Sequence, residues 1–252
     1  MSVLLLQLAG PLQSWGSAAR FTRRTTENAP TKSGVLGLVA AAQGRARDAD
    51  ISDLAALEFG VRVDQPGTRL RDFQTAHHAD SGKAMPLSER FYLADAVFVA
   101  GLAGDPKLIN ALYRALLDPV FLPYLGRRSC PPSQPITMAE PRETGLEQAL
   151  QEAEWKASKW YQDQRAALSH RRTGSVSRPE QLEILLDCPG GETPDSTLRD
   201  LPLSFDPRHR QYALRGIRGG HVPVPPDSPT AASQPPPHDP TSLLSPAAPR
   251  TT

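Results

Sequence analysis

A stretch of basic residues mixed with hydroxyl residues lies near the start of the chain. Arg20, Arg23, Arg24 and Lys32 alternate with several threonines, and Glu27 is the one acidic residue in this stretch. Guanidinium, ammonium and hydroxyl groups all donate hydrogen bonds to phosphate oxygens, so this composition is typical of a surface that binds a nucleic-acid backbone. A solvated basic loop without a partner has the same composition, and this stretch alone leaves both interpretations open.

The basic stretch ends where a helix is expected to begin. Apolar residues recur at helical spacing and predict a helix over 33–45, with Thr31 or Ser33 as its N-cap. The free amide groups at a helix N-terminus bind anions. Thr31, Lys32 and Ser33 are therefore candidate phosphate ligands, and an ordinary capped helix is the alternative.

Further along the chain, Arg69–Thr75 alternates in a way that predicts a strand. Arg69, Arg71, Phe73 and Thr75 fall on one side of that strand. Two arginines and an aromatic ring on a sheet face suit RNA, because bases stack on the ring while the cations contact phosphates. An amphipathic strand with an exposed cationic face explains the pattern equally well.

A proline-terminated loop over 126–133 carries Arg127 and Arg128 side by side, followed by Cys130. Prolines reduce the conformational freedom of the unfolded chain, so a loop of this kind holds a fixed shape at low entropic cost. The two arginines are candidate RNA ligands. Cys130 has no His or Cys neighbour in sequence that would support a nucleophilic role.

The sequence offers little support for catalysis. His77, His78 and Asp80 lie in a loop without a second cluster of metal ligands. No phosphate-binding Walker loop, dinucleotide fingerprint or hydrolase motif is present in the sequence. We therefore predict no catalytic residue, no metal site and no cofactor.

The composition sets wider limits on the function. The chain has 252 residues and a formal net charge of only +1, so overall charge does not indicate a nucleic-acid ligand. Its basic residues are 23 arginines and 5 lysines, a bias that a GC-rich genome also produces. Cys130 and Cys188 lack metal-binding spacing and suggest a reduced, cytoplasmic protein.

The order of the predicted elements indicates an α+β fold. Together, the elements form a β-α-β-β-α series that a strand at Pro135–Ala139 would complete as a ferredoxin-like unit. RRM-type RNA-binding domains share this order with many unrelated proteins. The predicted elements are a strand at Val3–Leu8, the helix over 33–45, a short helix at Ile51–Leu57, strands at Phe59–Val63, Arg69–Thr75 and Phe91–Leu102, and a helix from Asp105 to about Leu117.

The remaining chain divides into two parts. A helical stretch over 143–164 and strand candidates at Leu182–Asp187, Leu201–Phe205 and Tyr212–Ile217 predict a smaller β-rich region. Ten of the 26 prolines follow His221, and this composition predicts a disordered tail. We expect domains at 1–142 and 143–222, followed by a Pro-rich tail at 223–252.

Four motifs in this order resemble the CasD family, which supplies the 5′-handle-binding subunit of the type I-E CRISPR Cascade complex. The motifs are GPLQSWG, PTKSGVLGLVAAAQG, RLRDFQT and YLGRRSCPPSQP. The resemblance is close over Val3–Pro135 and looser beyond. It implies an antiviral-defence protein with a modified RRM domain that binds and caps the 5′ handle of the CRISPR RNA.

The resemblance also implies the site and the partners. A β-hairpin thumb is expected at about 76–90. The neighbours are the Cascade backbone subunit and the large subunit, and target DNA is met only through the complex. A separate subunit cuts the RNA in this subtype, which implies a non-catalytic role. The residues expected to bind RNA are Arg20, Arg23, Arg24, Thr31, Lys32, Ser33, Arg69, Arg71, Arg127 and Arg128.

Two other functions are open at this point. A metal-independent endoribonuclease that processes CRISPR repeat RNA would use His77, His78 or Tyr92 as acid or base. A protein-interaction module would use its arginines for salt bridges alone. The RNA-binding hypothesis makes the sharper structural prediction, because the guanidinium groups of the separated stretches should then converge on one face of a small mixed sheet.

Overall fold

The computed structural model describes residues 1–17, 22–165, 181–206 and 208–225. Arg20 and the predicted tail beyond residue 225 therefore lie outside the described residues. The strands and helices with their bounds are β1 Ser2–Ala9, β2 Leu12–Gln13, β3 Arg23–Arg24, α1 Lys32–Ala42, α2 Ser52–Ala55, β4 Glu58–Gln65, β5 Thr68–Gln74, β6 Ser88–Ala94, β7 Val97–Gly104, α3 Pro106–Leu117, α4 Leu146–Glu152, β8 Gln181–Asp187, β9 Ser196–Ser204 and β10 Gln211–Pro223. Residues 159–165 are also helical.

An antiparallel six-stranded sheet in the order β1-β7-β4-β8-β10-β9 forms the body of the protein. β1 and β7 consist mainly of apolar residues because both of their faces are covered. Leu4, Leu6 and Leu8 of β1 pack with residues of α1 and α3 in the main core. Val3 points the other way and packs with Leu146 of α4 in a second core. The mixed α+β class predicted from the sequence is confirmed.

The two longest helices among the described residues, α1 and α3, begin where their capping residues predict. The Thr31 hydroxyl accepts a hydrogen bond from the Gly34 amide at the start of α1. The Asp105 carboxylate accepts one from the Leu108 amide at the start of α3, and Pro106 occupies the first helical position. These caps fix the ends of helices whose apolar faces cover the sheet.

A smaller sheet, here called the hairpin sheet, consists of β2, β3, β5 and β6. The central strand is β6, with β5 antiparallel on one side and the two-residue strands β2 and β3 on the other. The β5–β6 hairpin continues towards its tip through a bridge between His77 and Ala84. Four of the arginines predicted to bind RNA lie on this sheet: Arg23, Arg24, Arg69 and Arg71.

The prediction of one strand over Phe91–Leu102 was wrong. Asp95 adopts a φ of 56° and divides the run into β6, which belongs to the hairpin sheet, and β7, which belongs to the large sheet. Gly67 makes the corresponding turn between β4 and β5 with a φ of 73°. A side chain at Gly67 would also lie 2.6 Å from the Ala94 carbonyl oxygen, so the turn requires glycine.

The segment at 136–142 lies along the free edge of β1 without forming the regular strand predicted at Pro135–Ala139. The Gln7 amide donates to the Ile136 carbonyl at 2.7 Å, and Val3 and Arg142 exchange backbone hydrogen bonds at 2.8 and 3.0 Å. Only isolated bridges connect this segment to β1. The segment therefore extends the large sheet beyond β1 by backbone hydrogen bonds without being a regular strand.

The C-terminal strands continue the large sheet. β8 pairs with β4 through Gly60 and Leu186, and β10 lies between β8 and β9. The strands of region 143–222 therefore share one sheet with β1, β4 and β7 of region 1–142. The helical prediction over 143–164 was too long, because α4 ends at Glu152 and 153–158 is not helical. None of the helices that the structure describes is long and apolar enough to cross a lipid bilayer.

Candidate nucleic-acid interface

The register of the hairpin sheet assigns each side chain to one of two faces, because residues paired across neighbouring strands point to the same side. The first, here called the Arg71 face, comprises Arg23, Arg69, Arg71, Phe73, Glu89, Phe91 and Leu93. The second, the Arg90 face, comprises Arg24, Leu70, Asp72, Arg90 and Tyr92.

The Arg71 face combines cations with aromatic rings. The Arg71 guanidinium lies 4.5 Å from the centroid of the Phe73 ring, and its Nη2 lies 2.8 Å from Glu89 Oε1. Arg23 lies 5.5 Å from the centroid of Phe91. The Phe73 side chain is 50% exposed. Rings beside cations are the pair of groups that single-stranded nucleic acids use for stacking and phosphate contact.

Arg69 is held at the base of the Arg71 face. Its Nε donates to Asn28 Oδ1 at 3.1 Å, and its Nη2 donates to the Thr26 carbonyl at 3.1 Å. These two bonds fix the plane of the guanidinium and leave Nη1 available to a ligand.

The Arg90 face receives a further arginine from the loop after α3. The Arg127 guanidinium lies 4.7 Å from the centroid of Tyr92, and its Nη2 donates to the Arg24 carbonyl at 2.9 Å. Arg127 Nη1 and Arg90 Nε are buried and have no hydrogen-bond partner. Buried donors without partners are costly, so these two nitrogens reduce the stability of this part of the protein.

The loop that carries Arg127 is fixed by its own backbone. The Leu125 amide donates to the Cys130 carbonyl at 2.7 Å, and the Cys130 amide donates to the Arg127 carbonyl at 2.9 Å. Gly126 has a φ of 83°. Burial raises the pKa of the Cys130 thiol, so this side chain serves as packing beneath the loop. Arg128 is exposed on the outside of the loop.

Lys32 lies inside the protein, which corrects the prediction that it and the α1 N-terminus meet a phosphate. Its Nζ lies 2.8 Å from Asp187 Oδ2, and its backbone amide donates to Asp200 Oδ2 at 2.7 Å. Arg215 binds both carboxylates at 2.8 Å. Asp200 thus occupies the anion position at the helix N-terminus. Thr31 is buried as the N-cap and Ser33 is half-buried, so neither belongs to the arginine surface.

The predicted convergence of the arginines on one face was wrong. Arg23, Arg69 and Arg71 lie on the Arg71 face, whereas Arg24 and Arg127 belong to the opposite side. The structure also adds two residues to the site that were not predicted from the sequence. Arg90 and Phe91 follow the alternation of β6, and that alternation could have identified them had the strand break at residue 95 been recognised.

The histidines of the loop lie near the tip of the β5–β6 hairpin. His77 and His78 are exposed, and His78 Nδ1 accepts hydrogen bonds from the amides of Asp80 at 3.3 Å and Ser81 at 3.4 Å. Within the described part of the chain, no group of three or more His, Cys, Asp or Glu residues could hold a metal ion.

Together, the fold and the site define an α+β protein with an arginine-lined hairpin sheet suited to a single-stranded polyanion. The family model described as CRISPR-associated protein (Cas_Cas5) matches residues 3–218. The chain therefore belongs to this family, and the resemblance to CasD inferred from the four motifs is confirmed.

Individual relatives agree with the family assignment. The CRISPR system Cascade subunit CasD of Escherichia coli (strain K12) is 38% identical over 170 residues, which cover 59% of this chain and 75% of that protein. A structure described as the crystal structure of a Cas protein has a TM-score of 0.68 and 37% identity, and covers 90% of this chain and 99% of that one. A chain of a CRISPR RNA-guided surveillance complex has a TM-score of 0.72 and 33% identity, and the match covers 88% of this chain and 91% of that one.

Proposed function

We propose that this chain is the Cascade subunit that binds and caps the 5′ handle of the CRISPR RNA. The observation that carries the proposal is the set of unpaired guanidinium groups around the hairpin sheet. Among the described residues, Arg71 is the one arginine on or beside this sheet that forms a salt bridge with a carboxylate. Family membership and the similarity to a Cascade subunit support the same role.

The distribution of the unpaired arginines suggests how the RNA is held. Arg23 lies on one face of the hairpin sheet, Arg24 lies on the other, and both belong to the two-residue strand β3. Both side chains are exposed. A single strand that bends around this part of the sheet would contact cations on both sides. Single-stranded RNA is flexible enough to follow such a path, whereas a rigid duplex is not.

We further infer a ferredoxin-like arrangement for the first part of the chain. The segment 136–142, β1, β7 and β4 lie next to one another in that order, which is the order 4-1-3-2 of a ferredoxin-like sheet. The β5–β6 hairpin is then an insertion between the second and third strands of that unit. It corresponds to the thumb expected at about 76–90, and the backbone and large subunits of Cascade are its proposed neighbours.

The proposed role is non-catalytic and places the protein in the cytoplasm with the guide RNA. Tyr92, one candidate acid or base, is 4% exposed and lies beneath Arg127. His78 already binds two backbone amides. Incubation of the full-length chain with labelled repeat RNA should leave the RNA intact. Site-specific cleavage that His78→Ala abolishes would favour the endoribonuclease instead.

The binding proposal is tested with the double variant Arg24→Ala/Arg128→Ala. Both side chains are exposed and unpaired, so their removal should leave the fold intact. Binding of handle RNA to the full-length chain should weaken by at least about tenfold, because two charge-assisted contacts are lost. The slope of log affinity against log salt should fall in magnitude by about 1.4.

The matched control is Arg218→Ala, which removes an exposed arginine that is paired with Glu147 at 2.8 Å on the large sheet. This variant should bind RNA as the unaltered chain does. Equal affinities and equal salt slopes for the double variant and the control would contradict the proposal.

A further inference from the structure

A pocket of about 350 Å³ lies at the base of the Arg71 face. Val63, Leu93 and Leu185 contribute apolar side chains, so the pocket joins the hairpin sheet to the large sheet. Asn28, Arg69 and Glu183 contribute polar groups. Its volume is within the range of small-molecule sites, about 300–1,000 Å³. This volume is sufficient for a single planar ring system.

The polar groups of this pocket provide both donors and an acceptor. Two hydrogen bonds hold the Arg69 guanidinium and leave its Nη1 as a donor. Asn28 accepts from Arg69 through Oδ1, so its amide nitrogen is also a donor. The exposed Glu183 carboxylate has neither a hydrogen bond nor an ion pair within the described residues, and it supplies the acceptor.

The carboxylate limits the chemical class of the ligand. A phosphate would be repelled by Glu183, which argues against a second backbone site in this pocket. A neutral ring can bury its apolar face against the apolar side chains, accept from Arg69 and Asn28, and present a donor to the Glu183 carboxylate. Nucleobases with an exocyclic amino group have these properties, and carboxylates are known to accept from the amino group of cytosine. Uracil has no amino group, and carbonyl oxygens flank its ring N–H.

The pocket is continuous with the proposed RNA surface. Arg69 and Leu93 pair across β5 and β6 and therefore belong to the face that carries Arg71 and Phe73. Phe73 is four residues from Arg69 along β5, a distance of roughly 13 Å at about 3.3 Å per residue. An RNA strand that stacks on Phe73 and follows this face reaches the pocket. This continuity favours a base of the RNA over a side chain of a protein partner.

We propose that the pocket binds one unstacked base of the CRISPR RNA handle, an adenine, guanine or cytosine, with Glu183 accepting from its exocyclic amino group. The inference rests on the proposed binding of the handle and adds base selectivity at one position. Phosphate contacts position a nucleic acid, whereas contacts to base edges select the sequence. Glu183 is thus assigned to specificity, and the arginines to affinity.

The test uses Cascade assembled with the unaltered chain, with Glu183→Ala or with Glu183→Gln. Chemical probing of the handle at nucleotide resolution should show one base that is protected in the unaltered complex and exposed in the Glu183→Ala complex. Replacing that base by uracil should weaken RNA binding roughly tenfold with the unaltered chain and less than about twofold with either variant. Glu58→Ala, which removes an exposed carboxylate of β4, should behave as the unaltered chain.

The outcomes separate this inference from the proposed function. Retained RNA with identical protection in the unaltered and Glu183→Ala complexes would overturn the base pocket and leave handle binding intact. A uracil penalty that persists in both Glu183 variants would also overturn it. Loss of all handle protection from the unaltered complex would contradict the proposed function itself.

Discussion

At the scale of single residues, burial separates the cations that hold the protein together from those that face a ligand. The sequence places Lys32 and Arg24 in the same basic stretch, and their types do not distinguish them. In the structure, Lys32 is 4% exposed and paired, whereas Arg24 is exposed and unpaired. The partner of Lys32 is Asp187, 155 residues away, so no local pattern could predict the pair.

Substitution of Lys32 should therefore affect stability. Lys32→Met leaves Asp187 and Arg215 in an incomplete buried network, and breaking a buried ion pair costs about 3–5 kcal/mol. Chemical denaturation should show a lower midpoint for this variant than for Arg128→Ala, which removes an exposed charge. A midpoint equal to that of the unaltered chain would contradict the structural role assigned to Lys32.

At the scale of elements, the sequence predicted the caps of α1 and α3 correctly. It was wrong in three other places, because the strand at Phe91–Leu102 is two strands, the helix over 143–164 ends early and Pro135–Ala139 is not a regular strand. Thr31, Asp105 and Pro106 act through their immediate neighbours, so their effect is local and predictable. The break falls at Asp95, a single charged residue between two apolar stretches, which adopts a positive φ although it is not glycine. Hydrophobic periodicity does not reveal this break, because the residues on both sides of it are apolar. That they belong to two different sheets becomes visible only in the structure.

The conformation of the loop after α3 depends on one residue, Gly126. A Cβ at this position would lie 1.8 Å from the Ser14 carbonyl oxygen, and the φ of 83° is strained for other residues. Gly126→Ala should shift the loop, move Arg127 away from Tyr92, and lower the free energy of unfolding by about 1–3 kcal/mol. The affinity for handle RNA should also fall, because Arg127 is displaced.

Gly190→Ala is the control for this prediction. A Cβ at Gly190 meets no atom within 4 Å. The variant should therefore have the same stability and the same RNA affinity as the unaltered chain. Thermal unfolding and RNA titration of both variants measure the difference. A Gly126→Ala chain as stable as Gly190→Ala would show that the loop adapts without cost.

At the scale of the whole molecule, long-range pairing determines the architecture. β4 and β8 meet through Gly60 and Leu186, which are far apart in sequence, and this pairing joins the two predicted regions into one sheet. The motif order was sufficient to predict the family. It was insufficient to predict that the hairpin sheet exposes arginines on both faces, because that result depends on the register between β3, β5 and β6.

The central claim is that the RNA handle bends around the hairpin sheet and contacts both faces. Leu70 of the Arg90 face and Phe73 of the Arg71 face are 45% and 50% exposed, so each can carry a photo-crosslinking side chain in assembled Cascade. Leu203 on β9, 57% exposed, is the control position. Mapping of the adducts should place the 5′ handle against both Leu70 and Phe73 and not against Leu203. Handle adducts missing from either face of the hairpin sheet would contradict the claim.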